Sequence, residues 1–221
     1  NGDVIVLENL RFYPEEKNGD ECFAKKLADL ADVYINDAFG TAHRAHASTA
    51  IIAKFFPKNK HLGLLLSKEI SSLERILKSP KRPFTAVIGG AKITGKIDVI
   101  ESLLKKVDNL IIGGGMAYTF AKAMGGEVGA SLVENEKLSL ATKILARAKK
   151  EGVNLILPTD SLNASSFSNS ANTNTSSILS VSKNYMGLDI GERSIEIFSN
   201  IILKSKTIVW NGPMGVFELR S

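Results

Sequence analysis

Val87-Ile88-Gly89-Gly90-Ala91-Lys92 and Leu110-Ile111-Ile112-Gly113-Gly114-Gly115-Met116 are the two stretches on which the fold turns. Each is an apolar run that stops at glycine, and each leads into a helical pattern, over residues 96–106 and 117–124. A strand that is apolar throughout is buried on both faces, which points to a parallel sheet covered by helices on both sides. Glycine at the end of such a strand has two uses. It allows a tight βα turn with unusual φ, or it lets backbone N–H groups approach a phosphate while the next helix adds partial positive charge. Two such turns in one sheet, one carrying Lys92 and Lys96, favour phosphate binding, because open α/β sheets take ligands at the carboxyl ends of their strands.

The same alternation extends in both directions. Apolar runs at residues 4–7, 33–35, 154–157 and 207–210 are predicted strands, together with Phe84–Ile88 and Asn109–Ile112. Further helices are predicted over residues 24–30, 136–151 and 195–203, giving an α/β fold. Leu66, Ile70, Leu73 and Leu77 form an apolar stripe on a separate helix over residues 67–78, which stops at Ser79-Pro80-Lys81-Arg82-Pro83. That helix is the expected connection between two domains, with the chain divided as 1–62, 63–82 and 83–221. Residues 161–182 are rich in Ser, Asn and Thr and nearly uncharged, and are expected to be loop.

Two common nucleotide signatures are excluded. Gly90-Ala91-Lys92-Ile93-Thr94-Gly95-Lys96 fits the first seven positions of a P-loop, but Ile97 stands where a Ser or Thr hydroxyl must hold Mg²⁺. A G-x-G-x-x-G dinucleotide fingerprint is absent.

Three further clusters follow predicted strands and so fall at the same kind of sheet edge. Glu8-Asn9-Leu10-Arg11-Phe12 follows residues 4–7. Asn36-Asp37-Ala38-Phe39-Gly40-Thr41-Ala42-His43-Arg44-Ala45-His46 follows residues 33–35 and sets an arginine between two histidines. Arg44 is suited to bidentate contact with carboxylate or phosphate, so the cluster reads as an anion site. A metal site at His43 and His46 lacks evident further ligands. Trp210-Asn211-Gly212-Pro213-Met214-Gly215-Val216-Phe217-Glu218 suits a turn against a flat base, with Glu218 able to accept from ribose hydroxyls; a buried loop is the alternative.

Composition agrees with an ordinary globular chain. Of 221 residues 44% are hydrophobic and 23% charged, and 28 Lys+Arg against 23 Asp+Glu give a net charge of +5. With no block of five like charges, this is no nucleic-acid tail. One cysteine, Cys22, excludes an internal disulfide and fits a reducing compartment. No apolar run reaches the ~18 residues of a membrane span. Starting at Asn1 and ending at Ser221 without a tail, the chain is expected to be a section of a longer protein.

Taken in order, Glu8–Phe12, the run from Asp37 to His46, Gly89-Gly90-Ala91-Lys92, residues 113–120, Met186-Gly187-Leu188-Asp189-Ile190-Gly191 and residues 210–218 resemble the phosphoglycerate kinase family across essentially the whole chain. The resemblance implies two Rossmann-like three-layer αβα domains with parallel sheets, joined by a helix and both incomplete here. It implies reversible phosphoryl transfer between 1,3-bisphosphoglycerate and ADP, giving 3-phosphoglycerate and ATP, in a cytoplasmic monomer of glycolysis and gluconeogenesis. Arg11 and Arg44, with His43 and His46, would form the basic patch for 3-phosphoglycerate. Lys96 would meet the nucleotide phosphates and Lys92 the transferring phosphoryl group. Gly89, Gly90, Gly113 and Gly114 would lie along the nucleotide, Gly187 near its base, Asn211 beside it and Glu218 at the ribose. Mg²⁺ would arrive with ATP or ADP, with no metal ligand in this section and neither nucleic acid nor membrane as partner. Hinge closure would bring the two ligands together, and the section alone is expected to be inactive. Two departures from the family pattern, Gly95 where an acidic residue or Ser is usual and Ser165-Ser166 in place of an Asp-Lys pair, keep open a degraded homologue that binds nucleotide without transfer. Gly95 loosens the start of the Lys96 helix by about 1 kcal/mol.

Overall fold

The computed structural model describes residues 2–219. The chain divides after Lys78 into two compact units.

The first unit is built of short elements. Helix α1 (Pro14–Asn18) opens on a proline, whose missing N–H is no loss in a first turn, and closes at Gly19 with φ 66°. Helix α2 (Glu21–Ala28) is capped by Asp20, whose carboxylate accepts the Phe23 N–H at 2.7 Å. Strand β1 (Tyr34–Asn36) pairs in parallel with β2 (Lys60–Leu62). A small core of Ala24, Ala28, Ala47, Ile52 and Phe56 lies under α2. Cys22 is exposed. Helix α3 (Leu64–Lys78) starts earlier than its stripe suggested, because Asp37 at the end of β1 accepts the Leu66 N–H at 2.8 Å and caps it.

Residues 4–7 do not form the predicted strand. Val4, Ile5 and Val6 are 87%, 84% and 88% exposed and enter no ladder among the described residues. A strand is defined by its neighbours, and an apolar run that meets none has no means of satisfying its backbone except water.

The second unit holds a four-stranded parallel sheet in the order β11-β3-β4-β6. Its elements in chain order are β3 (Phe84–Ile88), α4 (Ile97–Leu103), β4 (Asn109–Ile112), α5 (Met116–Ala123), β5 (Glu127–Val128), α6 (Leu138–Lys150), β6 (Asn154–Ile156), β7 (Asp160–Ala164), β8 (Thr173–Ser177), β9 (Ser180–Val181), β10 (Met186–Ile190), α7 (Glu192–Lys204) and β11 (Thr207–Asn211). From β3 to β4 to β6 the chain steps in one direction, so right-handed crossovers put α4, α5 and α6 on one face. The return to β11 lies on the other side of β3, so α7 falls on the opposite face. The packing agrees: Val87 and Ile111 bury against Phe198 of α7, with Ile156, Ile201 and Ile202 around them. Their neighbours Ile88, Leu110 and Ile112 point the other way and are 0% exposed, so both faces are covered. The layers are those of a Rossmann-like αβα sandwich.

The expectation of loop over residues 161–182 is corrected by the structure. Residues 160–164 and 173–177 form an antiparallel pair, and β10 flanks β7. These strands escape detection because they are polar and are held by side-chain hydrogen bonds. Asn163 is 0% exposed and donates to Asn174 at 2.9 Å and Ser176 at 3.0 Å.

Candidate functional site

In the first unit, a cleft of about 340 Å³ opens at the carboxyl end of β1, lined by Arg11, Glu16, Asn36, Asp37, His46 and Thr49 among others. Arg11 lies within a short 3₁₀ turn (Leu10–Phe12) capped by Asn9, whose side chain accepts the Arg11 N–H at 3.0 Å. His46 is buried, with Nδ1 3.9 Å from a Glu16 oxygen and no hydrogen-bond partner among the described residues. Glu16, buried, accepts the Ser48 N–H at 2.9 Å and its hydroxyl at 2.6 Å. Asp37 lines the cleft but is engaged in capping α3. The structure thus brings Arg11 and His46 into one cleft. His43 and Arg44 lie outside its lining, exposed on the adjoining turn, where the Arg44 carbonyl accepts the Thr49 hydroxyl at 2.9 Å. A larger cleft, near 590 Å³ beside Lys25 and Phe55, offers less chemistry because the Lys25 ammonium is already paired with Asp29.

In the second unit, three strand-end loops converge at the carboxyl edge of the sheet. The Gly89 N–H donates to the Asn211 carbonyl at 2.9 Å, Gly90 to Pro213 at 3.0 Å and Gly114 to Met214 at 2.8 Å. The Gly113 N–H reaches the Ile88 carbonyl at 2.9 Å. These amides are committed to the protein, so the glycines make room for one loop against another. A Cβ on Gly89 would strike the Pro213 carbonyl, and one on Gly212 the Gly89 carbonyl. Gly90 at φ 122° and Gly114 at φ 69° also need the conformational freedom of glycine.

Above these loops lies a slot of about 570 Å³. Gly90, Gly114 and Gly187 give it small walls, Leu132 and Phe167 apolar ones, and Glu218 a carboxylate at the rim. Gly187 is where a side chain would collide with Tyr118, and its N–H is held by Ser131 at 2.9 Å. Gly89 and Gly113 lie beneath the slot and do not line it. Lys96 stands at the start of α4, its Cε 3.9 Å from where a Gly90 Cβ would sit, and its ammonium donates to the Asn211 side-chain carbonyl. Lys92 is exposed on the same turn.

That turn is anchored by a residue with no sequence signal. Glu134, 7% exposed, accepts the Ile93 N–H at 2.5 Å, the Thr94 hydroxyl at 2.5 Å and the Thr94 N–H at 3.3 Å. Burial pushes its carboxyl up, but these three hydrogen bonds and the nearby Lys92 charge outweigh it and hold the group below its ordinary 4.5. Tyr118, behind the slot, is pushed up to about 12 by burial, against a hydrogen bond shared with Ser161 that works the other way.

A glycine-walled slot lined by one carboxylate, with Lys92, Lys96 and Asn211 outside its lining on the adjoining turns, can hold a flat group with an anionic tail. Fold and clefts define the class as a Rossmann-like α/β protein with its clefts at the carboxyl ends of parallel strands. A family model described as Phosphoglycerate kinase matches residues 1–221. Phosphoglycerate kinase of Porphyromonas gingivalis is 51% identical, over 98% of this chain and 58% of its own length. That of Prochlorococcus marinus is 55% identical, over 99% of this chain and 54% of its own. The solved phosphoglycerate kinase of Coxiella burnetii superposes with a TM-score of 0.80 at 42% identity, over 96% of this chain and 54% of that one. The chain belongs to the phosphoglycerate kinase family, and it spans about half the length of these relatives.

Proposed function

We propose that this chain carries part of both substrate sites of a phosphoglycerate kinase, with 3-phosphoglycerate or 1,3-bisphosphoglycerate on the first unit and Mg-ADP or Mg-ATP on the second. The observation that carries the reading is the slot of Gly90, Gly114, Gly187 and Glu218 with the Lys96 side chain beside Gly90. Base and ribose fill the slot, Glu218 accepts from the ribose, and the phosphates run towards Lys96 and Lys92. Asn211 holds Lys96 ready for them. Arg11, Arg44, His43 and His46 receive the glycerate ligand.

The reaction needs little covalent help. The bond between phosphorus and the acyl oxygen of 1,3-bisphosphoglycerate breaks, a β-phosphate oxygen of ADP forms the new one, and 3-phosphoglycerate leaves as a carboxylate. Attacking and leaving oxygens are both already ionised, so no general base is required. Positioning and charge neutralisation supply the catalysis, and lysine, arginine and substrate-borne Mg²⁺ provide the charge. Transfer between ligands on separate units requires a closing step that also sheds water. None of the described helices is long and apolar enough to cross a membrane. Cytoplasmic placement and a monomeric state complete the reading.

The test is a titration of the 221-residue chain with Mg-ADP and, separately, NAD, read by fluorescence of its one tryptophan, Trp210, next to Asn211. Saturable binding of Mg-ADP without NAD binding is expected. Binding of NAD in preference, or of neither, overturns the nucleotide assignment.

A further inference from the structure

Lys92 and Lys96 sit on a turn with little stiffness of its own. Gly95 has a φ outside the left-handed region and nothing within 4 Å of where its Cβ would be. Ala91, Lys92 and Thr94 are exposed as well. The turn is nevertheless tied down at Ile93–Thr94, where the Ile93 side chain is fully buried and the backbone is held as well. The buried carboxylate of Glu134 takes two consecutive backbone N–H groups, from Ile93 and Thr94, and the Thr94 hydroxyl besides. Ile93 passes the constraint on, since its carbonyl accepts the Lys96 N–H at 2.7 Å, and the Lys96 carbonyl accepts the Ile100 N–H of α4 at 2.9 Å. Glu134 is fixed in turn, its own N–H donating to the Thr119 hydroxyl of α5 at 3.1 Å and its carbonyl accepting the Lys137 N–H at 2.9 Å.

A buried carboxylate is expensive to desolvate, and a surface turn can be closed without one. Here the carboxylate is spent on the one turn that carries both lysines. We propose that Glu134 is the positioning residue of the phosphate-binding turn, setting Lys92 and Lys96 at the phosphate tail of a bound nucleotide while leaving the base and ribose slot untouched. Glu134 is absent from the slot lining, so it acts on the turn through the Ile93–Thr94 link and through its charge near Lys92. The inference rests on the nucleotide reading above and adds to it the residue that makes phosphate recognition specific.

The experiment compares Mg-ADP with adenosine as ligands for the 221-residue chain, for wild type, Glu134→Gln and Thr94→Val. Glutamine keeps the size of the side chain but sets an NH₂ where an oxygen accepted. The expected result for Glu134→Gln is Mg-ADP binding weakened roughly tenfold with adenosine binding unchanged within about twofold. Thr94→Val, which removes one donor and leaves Glu134 in place, is expected to shift the same ratio in the same direction by a smaller factor. Equal loss for both ligands would mean that Glu134 merely supports the fold and would overturn the proposal, as would unaltered Mg-ADP binding. If Glu134→Gln does not fold, Thr94→Val decides by the same ratio. A wild-type chain that binds neither ligand fails the nucleotide reading itself, a result distinct from failure of the Glu134 proposal.

Discussion

The ammonium of Lys96 donates to the side-chain carbonyl of Asn211, 115 residues further along the chain. One lies at the start of α4 and the other at the end of β11, next to β3 in the sheet, so the bond closes the carboxyl edge of the sheet over the glycine turns. It leaves an oriented cation beside Gly90, which lines the slot. Lys96→Ala is expected to weaken Mg-ADP binding by about 10- to 100-fold, the loss of charge-assisted contacts to phosphate, with little change in Tm. Asn211→Ala keeps the charge and loosens its position, so a smaller loss is expected. Calorimetric titration of both variants measures the ratio.

Gly89 and Gly95, on the same stretch between β3 and α4, should respond oppositely to alanine. Gly89→Ala drives a methyl group into the Pro213 carbonyl, and backbone has no room to yield there. A destabilisation of about 1–3 kcal/mol is expected. Gly95 has open space and no positive φ, so Gly95→Ala should stabilise by about 0.4–1 kcal/mol through the unfolded state. Urea unfolding of the two variants beside wild type checks both signs.

Asp160 of β7 supplies the cap that Gly191 cannot give to α7. Its carboxylate accepts the Ser194 hydroxyl, the Ser194 N–H at 2.9 Å and the Arg193 N–H at 3.0 Å. Burial raises its pKa, the hydrogen bonds lower it, and the net is a value below the ordinary 3.8. A depressed folded-state pKa gives stability that is present above the unfolded value and lost as pH falls through the folded one. Asp160→Asn is therefore expected to cost about 1–3 kcal/mol at neutral pH, and the gap from wild type should close below pH 3.8. Unfolding free energies measured from pH 7 to pH 3 follow the gap.

Tyr118 gives the alkaline counterpart. Held neutral by burial, it resists ionisation to about 12, against an ordinary 10.0. A raised folded-state pKa gives stability that is complete below the unfolded value and lost as pH rises through the folded one, so this contribution should fade between pH 10 and 12. Ultraviolet titration of tyrosinate should show a late group that disappears in Tyr118→Phe.

Much of the second unit was legible because its strands are apolar throughout and its helices carry apolar stripes. Phe84–Ile88 and Asn109–Ile112 emerge with the predicted bounds. What escaped depends on partners. Residues 4–7 look like a strand but enter no ladder among the described residues, while β7 and β8 pair through Asn163, Asn174 and Ser176 and look like linker. The glycine turns were found, yet the Gly90 and Gly114 amides serve the Pro213–Met214 loop, a contact between segments 100 or more residues apart that spacing does not encode. Arg11 and His46 meet in one cleft while Arg44, expected at the same sheet edge as Arg11, lies outside its lining; Glu134, one carboxylate among several in Val133-Glu134-Asn135-Glu136, acquires its place only when α5 and the Lys92 turn close around it.

If this chain holds working parts of a phosphoglycerate kinase, it should serve in place of the matching stretch of a relative. The direct measurement replaces the matching stretch of the Coxiella burnetii enzyme with these 221 residues and assays the chimera with 3-phosphoglycerate and Mg-ATP in a coupled assay. Turnover that collapses by roughly 100-fold or more on Lys96→Ala is the predicted result. A folded chimera that binds Mg-ADP and turns over nothing, or whose turnover ignores Lys96→Ala, contradicts the claim.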